Sequence, residues 1–161
     1  MSDRPEVLLT IPARAEGVGV VRQALAGMAD ALDFEASVLA DMKMAVTEAC
    51  TNVVVHAYEE EGVLEVEMLA AEDGLTIVVR DHGSGIQPRP ARPEPAALGL
   101  GLPLIAALSD AFELRGSAGA GTEVRMTFAY VRDADPADVN PVPGTIGIDG
   151  RWDLDAPSPE A

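Results

Sequence analysis

The amino-acid sequence predicts an α+β domain, a two-layer sandwich in which a mixed β-sheet packs on helices. Two observations support this prediction: apolar residues recur at helical spacing in two long stretches near the start, and β-favouring residues are concentrated in several short runs. The predicted order is a strand, two helices, two strands, a long loop, a helix and two final strands.

The first part of the predicted fold is one strand followed by two helices. Residues 7–11 form a β-favouring run that Pro12 stops, which suits an opening strand at a sheet edge. Apolar positions at helical spacing predict helices over residues 16–32 and 35–58. A run of glutamates ends the second helix, and Gly62 then serves as a turn or cap residue.

The second part of the predicted fold contains four strands and one helix. The strands are predicted at residues 63–70, 75–80, 112–115 and 123–131. Asp73-Gly74 is a hairpin signal between the first two of them. The proline-rich loop over residues 81–98 has a length that is typical of a functional lid or an insert. Pro103 suits the first turn of a helix over residues 102–111, where its missing N–H has no intrahelical partner to lose.

Composition limits the class of protein. The net charge of −16 argues against binding to nucleic acid or an anionic membrane, since either needs clustered Lys and Arg. A single cysteine, Cys50, excludes an intrachain disulfide, and neither a signal peptide nor a membrane span is apparent. We therefore expect a cytoplasmic protein with one domain over residues 1–132 and a disordered, acidic, proline-rich tail over residues 133–161.

Polar residues follow one line on the second predicted helix. Glu48, Asn52 and His56 are spaced i, i+4 and i+8, so an α-helix stacks them on one stripe. A carboxylate facing a pocket can accept a proton from a nucleophile, and an amide oxygen suits Mg²⁺. The same stripe is equally expected of a polar helix face in solvent.

Two glycine-containing segments follow the strands. Asp81, Gly83 and Gly85 come directly after an apolar strand, where a carboxylate at the strand end can accept a hydrogen bond from an exocyclic amine such as that of adenine. Gly99 and Gly101 precede a helix start, where free N–H groups form an anion site suited to phosphates. Each segment alone is weak evidence, because Asp and Gly are common in plain turns.

Together these segments resemble the anti-sigma-factor serine kinases of the GHKL superfamily, which has the Bergerat ATP-binding fold. The matching motifs are Glu48-Ala49-Cys50-Thr51-Asn52 with His56-Ala57-Tyr58 for the N box, Asp81-x-Gly83-x-Gly85 and Gly99-Leu100-Gly101-Leu102 for the two glycine boxes, and Gly121-Thr122 before the last strand. They occur in the family's order and extend over residues 7–131.

The resemblance implies a role for each matching residue. Glu48 would be the general base, Asn52 a Mg²⁺ ligand that also binds ATP, and Asp81 the partner of the adenine amino group with help from Thr122. The remaining nucleotide-binding positions would be Gly83, Gly85, Gly99, Leu100, Gly101 and Leu102. Residues 87–98 would close over ATP as a lid.

The resemblance also implies a function. The protein would phosphorylate a serine or threonine of a STAS-type anti-anti-sigma factor, sequester a sigma factor and form a homodimer. One alternative is a nucleotide-dependent binding module without significant kinase activity, although the presence of Glu48 favours catalysis. Another is a detached sensor-kinase ATPase domain that phosphorylates a histidine protein.

Overall fold

The chain forms an antiparallel sheet covered on one face by helices. This computed structural model describes residues 6–84, 101–116 and 119–130, together with two short strands nearer the C-terminus. The strands of the sheet are β1 (Glu6–Pro12), β2 (Val63–Ala70), β3 (Gly74–Asp81), β4 (Ala111–Gly116) and β5 (Thr122–Ala129). Their order across the sheet is β1-β2-β3-β5-β4. The α+β class and the two-layer arrangement are therefore as predicted.

The sheet is antiparallel throughout, whereas the sequence analysis predicted a mixed sheet. Each neighbouring pair, from β1–β2 to β4–β5, runs antiparallel. The strands on either side of the third helix, β3 and β4, do run parallel to each other, but β5 lies between them. A helical connection normally places two parallel strands side by side. Here β5, the hairpin partner of β4, lies between β3 and β4, so no two neighbouring strands of this sheet are parallel.

In the described part of the chain, three α-helices and a π-helical turn accompany the sheet. They are α1 (Ala15–Ala31), α2 (Ala36–Asn52), the π turn (Val53–Ala57) and α3 (Gly101–Leu108). The predicted helix over residues 35–58 therefore changes its winding after Asn52, which apolar spacing did not indicate. Within the described ranges, none of these helices is long and apolar enough to cross a membrane.

The core lies between the helices and the inner face of the sheet. The buried sheet residues on this face are Leu64, Val66, Met68, Leu75, Ile77, Val79, Val124, Met126 and Phe128. They alternate along their strands, as expected when one face of an antiparallel sheet is covered. Helix α2 contributes Met42, Val46 and the fully buried Cys50, and burial raises the pKa of the Cys50 thiol to about 12.

The outer face of the sheet is covered by its own charged side chains. Arg80 on β3 pairs with Glu67 on β2 at 2.8 Å and with Glu123 on β5 at 2.7 Å. The hydrogen bond from Arg80 lowers the pKa of the Glu123 carboxyl below its ordinary value. Val78, which pairs in register with Glu67 and Arg125 on this face, is fully buried. We infer that the stems of these long side chains shield it.

The turn between α1 and α2 is a Schellman motif. Asp33 has a left-handed backbone conformation with φ 55°, and its N–H donates to the Asp30 carbonyl at 3.2 Å. The N–H of Phe34 donates to the Ala29 carbonyl at 3.0 Å. These two bonds satisfy carbonyls at the end of α1, which lack intrahelical partners.

The chain divides into two compact units, Met1–Val131 and Arg132–Ala161. In the second unit, β6 (Thr145–Ile146) pairs antiparallel with β7 (Trp152–Asp153). The other residues of this unit lie outside the described part of the chain, so the predicted disorder of residues 133–161 stays a prediction.

Candidate functional site

Helix α2 and the start of α3 bring two predicted site residues together. Glu48 and Asn52 are half-buried on α2. A Cβ atom added to Gly101, the first residue of α3, would lie 3.4 Å from Asn52 Nδ2 and 3.5 Å from Glu48 Oε2. A carboxylate and an amide therefore meet at a helix N-terminus, where backbone N–H groups favour an anion.

His56 does not continue the stripe that α-helical spacing predicts. It lies in the π turn, where the extra residue per turn shifts it from the line of Glu48 and Asn52, and its side chain is exposed. The polar stripe on α2 consequently ends at Asn52.

Asp81 is the last residue of β3. It pairs in register with Leu64 on one side and Thr122 on the other. Only 6% of Asp81 is exposed, and among the described residues it is the one charged or polar residue that is buried. Its Oδ1 accepts the N–H of Gly83 at 2.9 Å. Because burying a carboxylate is costly, a position of this kind is a strong candidate for ligand binding.

The segment after Asp81 is fastened to the π turn. The N–H of Ser84 donates to the carbonyl of Ala57 at 3.1 Å. A Cβ atom on Gly83 would lie 1.9 Å from that carbonyl oxygen, so any side chain there would force the two segments apart. Gly83 therefore permits a close approach between two protein segments, and its predicted role beside the nucleotide stays a prediction.

The turn before β5 closes the same end of the sheet. Gly121 has φ +78°, a conformation that glycine adopts readily, and a Cβ atom there would lie 2.1 Å from the Asp81 carbonyl oxygen. The N–H of Gly119 donates to the Ser84 carbonyl at 2.9 Å. A cleft at this end is lined by Asp81, Gly121 and Thr122 and also by Arg80 and Glu123 of the outer face, so it extends onto the side of the sheet away from the helices.

Some predicted residues are not placed by the structure. Gly85, Gly99 and Leu100 lie outside the described residues, as does the predicted lid over residues 87–98. Leu102, also predicted to bind nucleotide, is half-buried and packs against the core.

Two contributors to the site were not singled out by the sequence analysis. The carbonyl of Ala57 and the hydroxyl of Tyr58 both hold the segment that follows Asp81. The motif His56-Ala57-Tyr58 marked this region of the chain, but residue spacing carries no sign of a backbone acceptor or of a hydroxyl that bonds to another element.

This fold, with a buried aspartate at one strand end and a polar helix stripe facing a second helix N-terminus, is that of the histidine kinase-like ATPase domain. The model of that family matches residues 11–128, and the chain belongs to the family.

The curated relatives narrow the class to serine-protein kinases. The chain is 36% identical over 129 residues to the serine-protein kinase RsbW of Halalkalibacterium halodurans, covering 72% of this chain and 80% of that protein. It is 35% identical over 151 residues to the serine-protein kinase RsbW of Bacillus mycoides, covering 85% of this chain and 92% of that protein. The chain is thus a member of the RsbW group of serine-protein kinases, and its ATPase domain uses ATP.

A solved structure confirms the fold. The crystal structure of the RsbU and RsbW domains of Rv1364c from Mycobacterium tuberculosis matches with a TM-score of 0.62 at 23% identity, over 77% of this chain and 32% of that one. The predictions of the family, the fold and an ATP-dependent serine kinase are confirmed by these comparisons. The roles of individual residues stay predictions.

Proposed function

We propose that this serine kinase transfers the γ-phosphate of ATP to a serine or threonine of a STAS-type anti-anti-sigma factor, and that it sequesters a sigma factor. The observation that carries the proposal is the buried carboxylate of Asp81 at one end of a site whose other end is formed by Glu48 and Asn52 beside Gly101. The similarity to serine-protein kinases supports the reaction class.

Asp81 is proposed to recognise the base. Its buried carboxylate would accept a hydrogen bond from the 6-amino group of adenine, with Thr122, its neighbour across the strand pair, assisting. A buried acceptor discriminates strongly, because a base without that donor leaves the carboxylate unpaired. We therefore expect the site to bind adenine nucleotides more tightly than guanine nucleotides.

Glu48 is proposed to act at the phosphate end. Its carboxylate would accept the proton of the attacking hydroxyl as that oxygen approaches the γ-phosphate. The N–H groups at the start of α3, which begins at Gly101, would orient the phosphates. The lid over residues 87–98 and the glycine-box positions Gly85, Gly99, Leu100 and Leu102 are proposed to enclose the nucleotide.

The residues at this end also fit Mg²⁺. Asn52 Oδ1 and Glu48 Oε2 lie 3.6 Å and 3.5 Å from the position that a Cβ atom on Gly101 would occupy, so each side chain has a hard oxygen atom beside the start of α3. Mg²⁺ is commonly held by one or two protein oxygens together with water and substrate phosphates. Asn52 would therefore be its protein ligand, and the bound ion would neutralise phosphate charge.

The proposed partners and assembly are supported by charge and by the resemblance to anti-sigma kinases. A net charge of −16 suits a basic protein partner in the cytoplasm. The homodimer is proposed to form through the sheet edge or the helices near the N-terminus. Strand β1 does lie at an edge, and Arg22 on α1 is exposed.

The test is phosphorylation of purified STAS-type proteins by the wild-type chain and by Glu48→Gln. We expect the variant to lose about 10²- to 10⁴-fold in phosphoryl-transfer rate, because it lacks the base, with ATP affinity changed less than about two-fold. Glu35→Gln, an exposed position just before α2, is the matched control and should retain full activity.

The products separate the alternatives. Acid-stable phosphate on the STAS protein supports the proposal, whereas acid-labile phosphate on a histidine phosphotransfer protein would indicate the sensor-kinase reading. Saturable ATP binding without transfer to either substrate would indicate a nucleotide-dependent binding module. Full activity of Glu48→Gln would remove Glu48 from the role of base.

A further inference from the structure

We infer that Tyr58 is a positioning residue that holds the turn over residues 81–84 in place and thereby sets selectivity for the 6-amino group of the base. This inference rests on the proposed role of Asp81 as the adenine partner. It assigns Tyr58 no contact with the nucleotide.

The Tyr58 hydroxyl joins two segments that are distant in sequence. It accepts the N–H of His82 at 2.8 Å and donates to the carbonyl of Val63 at 2.7 Å. A phenolic hydroxyl is able to do both, since it has one proton to donate and lone pairs to accept. Phenylalanine has the same ring and makes neither bond.

The ring that carries this hydroxyl is held by its surroundings. Tyr58 follows the π turn directly and is extended, with φ −129° and ψ 144°. A Cβ atom on Gly62 would lie 2.2 Å from the ring carbons, so the ring occupies the space that a side chain at position 62 would need. The hydroxyl consequently points to the His82 amide from a fixed position.

Three consecutive amides of the turn are bonded, and two of the acceptors lie at the end of the π turn. The His82 N–H donates to Tyr58 and the Ser84 N–H donates to the Ala57 carbonyl. Between them, the Gly83 N–H donates to Asp81 Oδ1 at 2.9 Å, which orients the carboxylate. Release of the first amide would therefore loosen the backbone on which Asp81 Oδ1 depends.

Strand pairing holds this turn only at its first residue, Asp81. The register of β2 and β3 ends with the pair Leu64 and Asp81, so the Tyr58 bond begins where strand pairing stops. The side chain of His82 is largely exposed and pairs with Glu65 at 3.1 Å, also away from Asp81. Loss of the Tyr58 hydroxyl should thus affect the turn more than the sheet.

The experiment compares Tyr58→Phe with wild type by calorimetric titration of two nucleotides. One is ATP and the other is an analogue with hydrogen in place of the 6-amino group. Tyr130→Phe is the matched control, because Tyr130 is the other tyrosine of the chain and follows the opposite end of β5, where its ring lies 4.9 Å from that of Phe34.

We expect wild type to bind ATP at least about ten-fold more tightly than the analogue, as one buried hydrogen bond allows. Tyr58→Phe should weaken ATP binding about five-fold and leave analogue binding within about two-fold, so that the affinity ratio falls. Tyr130→Phe should keep the wild-type ratio. In kinase assays, Tyr58→Phe should raise the KM for ATP with little change in kcat.

An unchanged affinity ratio would overturn the inference. If both affinities fall by the same factor, Tyr58 has only a structural role. Absence of selectivity in wild type would instead refute the proposed role of Asp81. If Tyr58→Phe does not fold, Gly62→Ala provides the second test, because it displaces the ring but keeps the hydroxyl. It should lower the same ratio, and a wild-type ratio in that variant would count against the inference.

Discussion

Individual glycines in the turn before β5 meet two different physical demands. Gly119 and Gly121 have nearly the same backbone conformation, with φ +79° and +78°. A Cβ atom on Gly119 would meet nothing within 4 Å, whereas one on Gly121 would lie 2.1 Å from the Asp81 carbonyl oxygen. The pair therefore separates the cost of a left-handed backbone from the cost of steric overlap beside the site.

We expect Gly119→Ala to lower the free energy of unfolding by about 1 kcal/mol, the cost of a side chain in the left-handed region. Gly121→Ala should lower it by about 2 to 4 kcal/mol, since overlap with backbone adds to that cost. Urea denaturation measures both. ATP affinity should survive in Gly119→Ala and fall sharply in Gly121→Ala, and equal behaviour of the two variants would contradict the close approach.

The polar side chains of the candidate site were predictable from sequence, whereas the groups that hold them were not. Glu48, Asn52 and Asp81 are chemically distinctive, and they stand at helical spacing or at the end of an apolar run. The Tyr58 hydroxyl and the Ala57 carbonyl accept hydrogen bonds from residues 82–84. Tyr58 and His82, for example, are 24 positions apart in the sequence. Such contacts depend on how elements pack, which residue periodicity does not contain.

The connection between α1 and α2 contains a residue that does not suit its backbone conformation. Its left-handed position is occupied by Asp33, where glycine is the usual residue. We expect Asp33→Gly to raise the free energy of unfolding by about 0.5 to 1 kcal/mol, because it removes the strain of the side chain.

Thermal or urea unfolding of Asp33→Gly provides the measurement, with nucleotide affinity as the control. Affinity should not change, since the turn joins the two helices at the end of α2 opposite to Asn52. A loss of stability would mean that the flexibility of glycine in the unfolded chain outweighs the strain in this turn.

Helix α2 shows that residue spacing predicts the extent of a helix but not a local change in its winding. Apolar spacing predicted one helix over residues 35–58, and the chain does remain helical to Ala57. The π turn within it shifts His56 from the predicted stripe and brings the Ala57 carbonyl to Ser84. Strand order escaped prediction for a similar reason, because the insertion of β5 between β3 and β4 depends on three-dimensional pairing.

For the molecule as a whole, nucleotide binding should couple to global stability. The proposed site draws on α2, α3, β3 and β5, so bound ATP would join elements that separate on unfolding. At an ATP concentration of about 100 times Kd, the stabilisation is about 2.7 kcal/mol. For a domain of this size, that corresponds to a rise in Tm of roughly 5 to 12 °C.

Differential scanning fluorimetry with ATP and with GTP tests this coupling. GTP should produce a much smaller rise, because its base presents an oxygen where adenine has an amino group. Asp81→Asn should abolish most of the difference between the two nucleotides. Equal shifts with ATP and GTP in wild type would place base recognition elsewhere.

The position of Cys50 makes its thiol a reporter of local opening in helix α2. Cys50 lies between Glu48 and Asn52 in the sequence of α2, and its side chain is fully buried. Burial raises the pKa of its thiol to about 12, so a thiol reagent at pH 8 should not react with it while the protein is folded. Each labelling event then records an opening of this helix. The labelling rate, followed with and without ATP, would count those openings directly, and the native chain needs no engineered probe for the measurement.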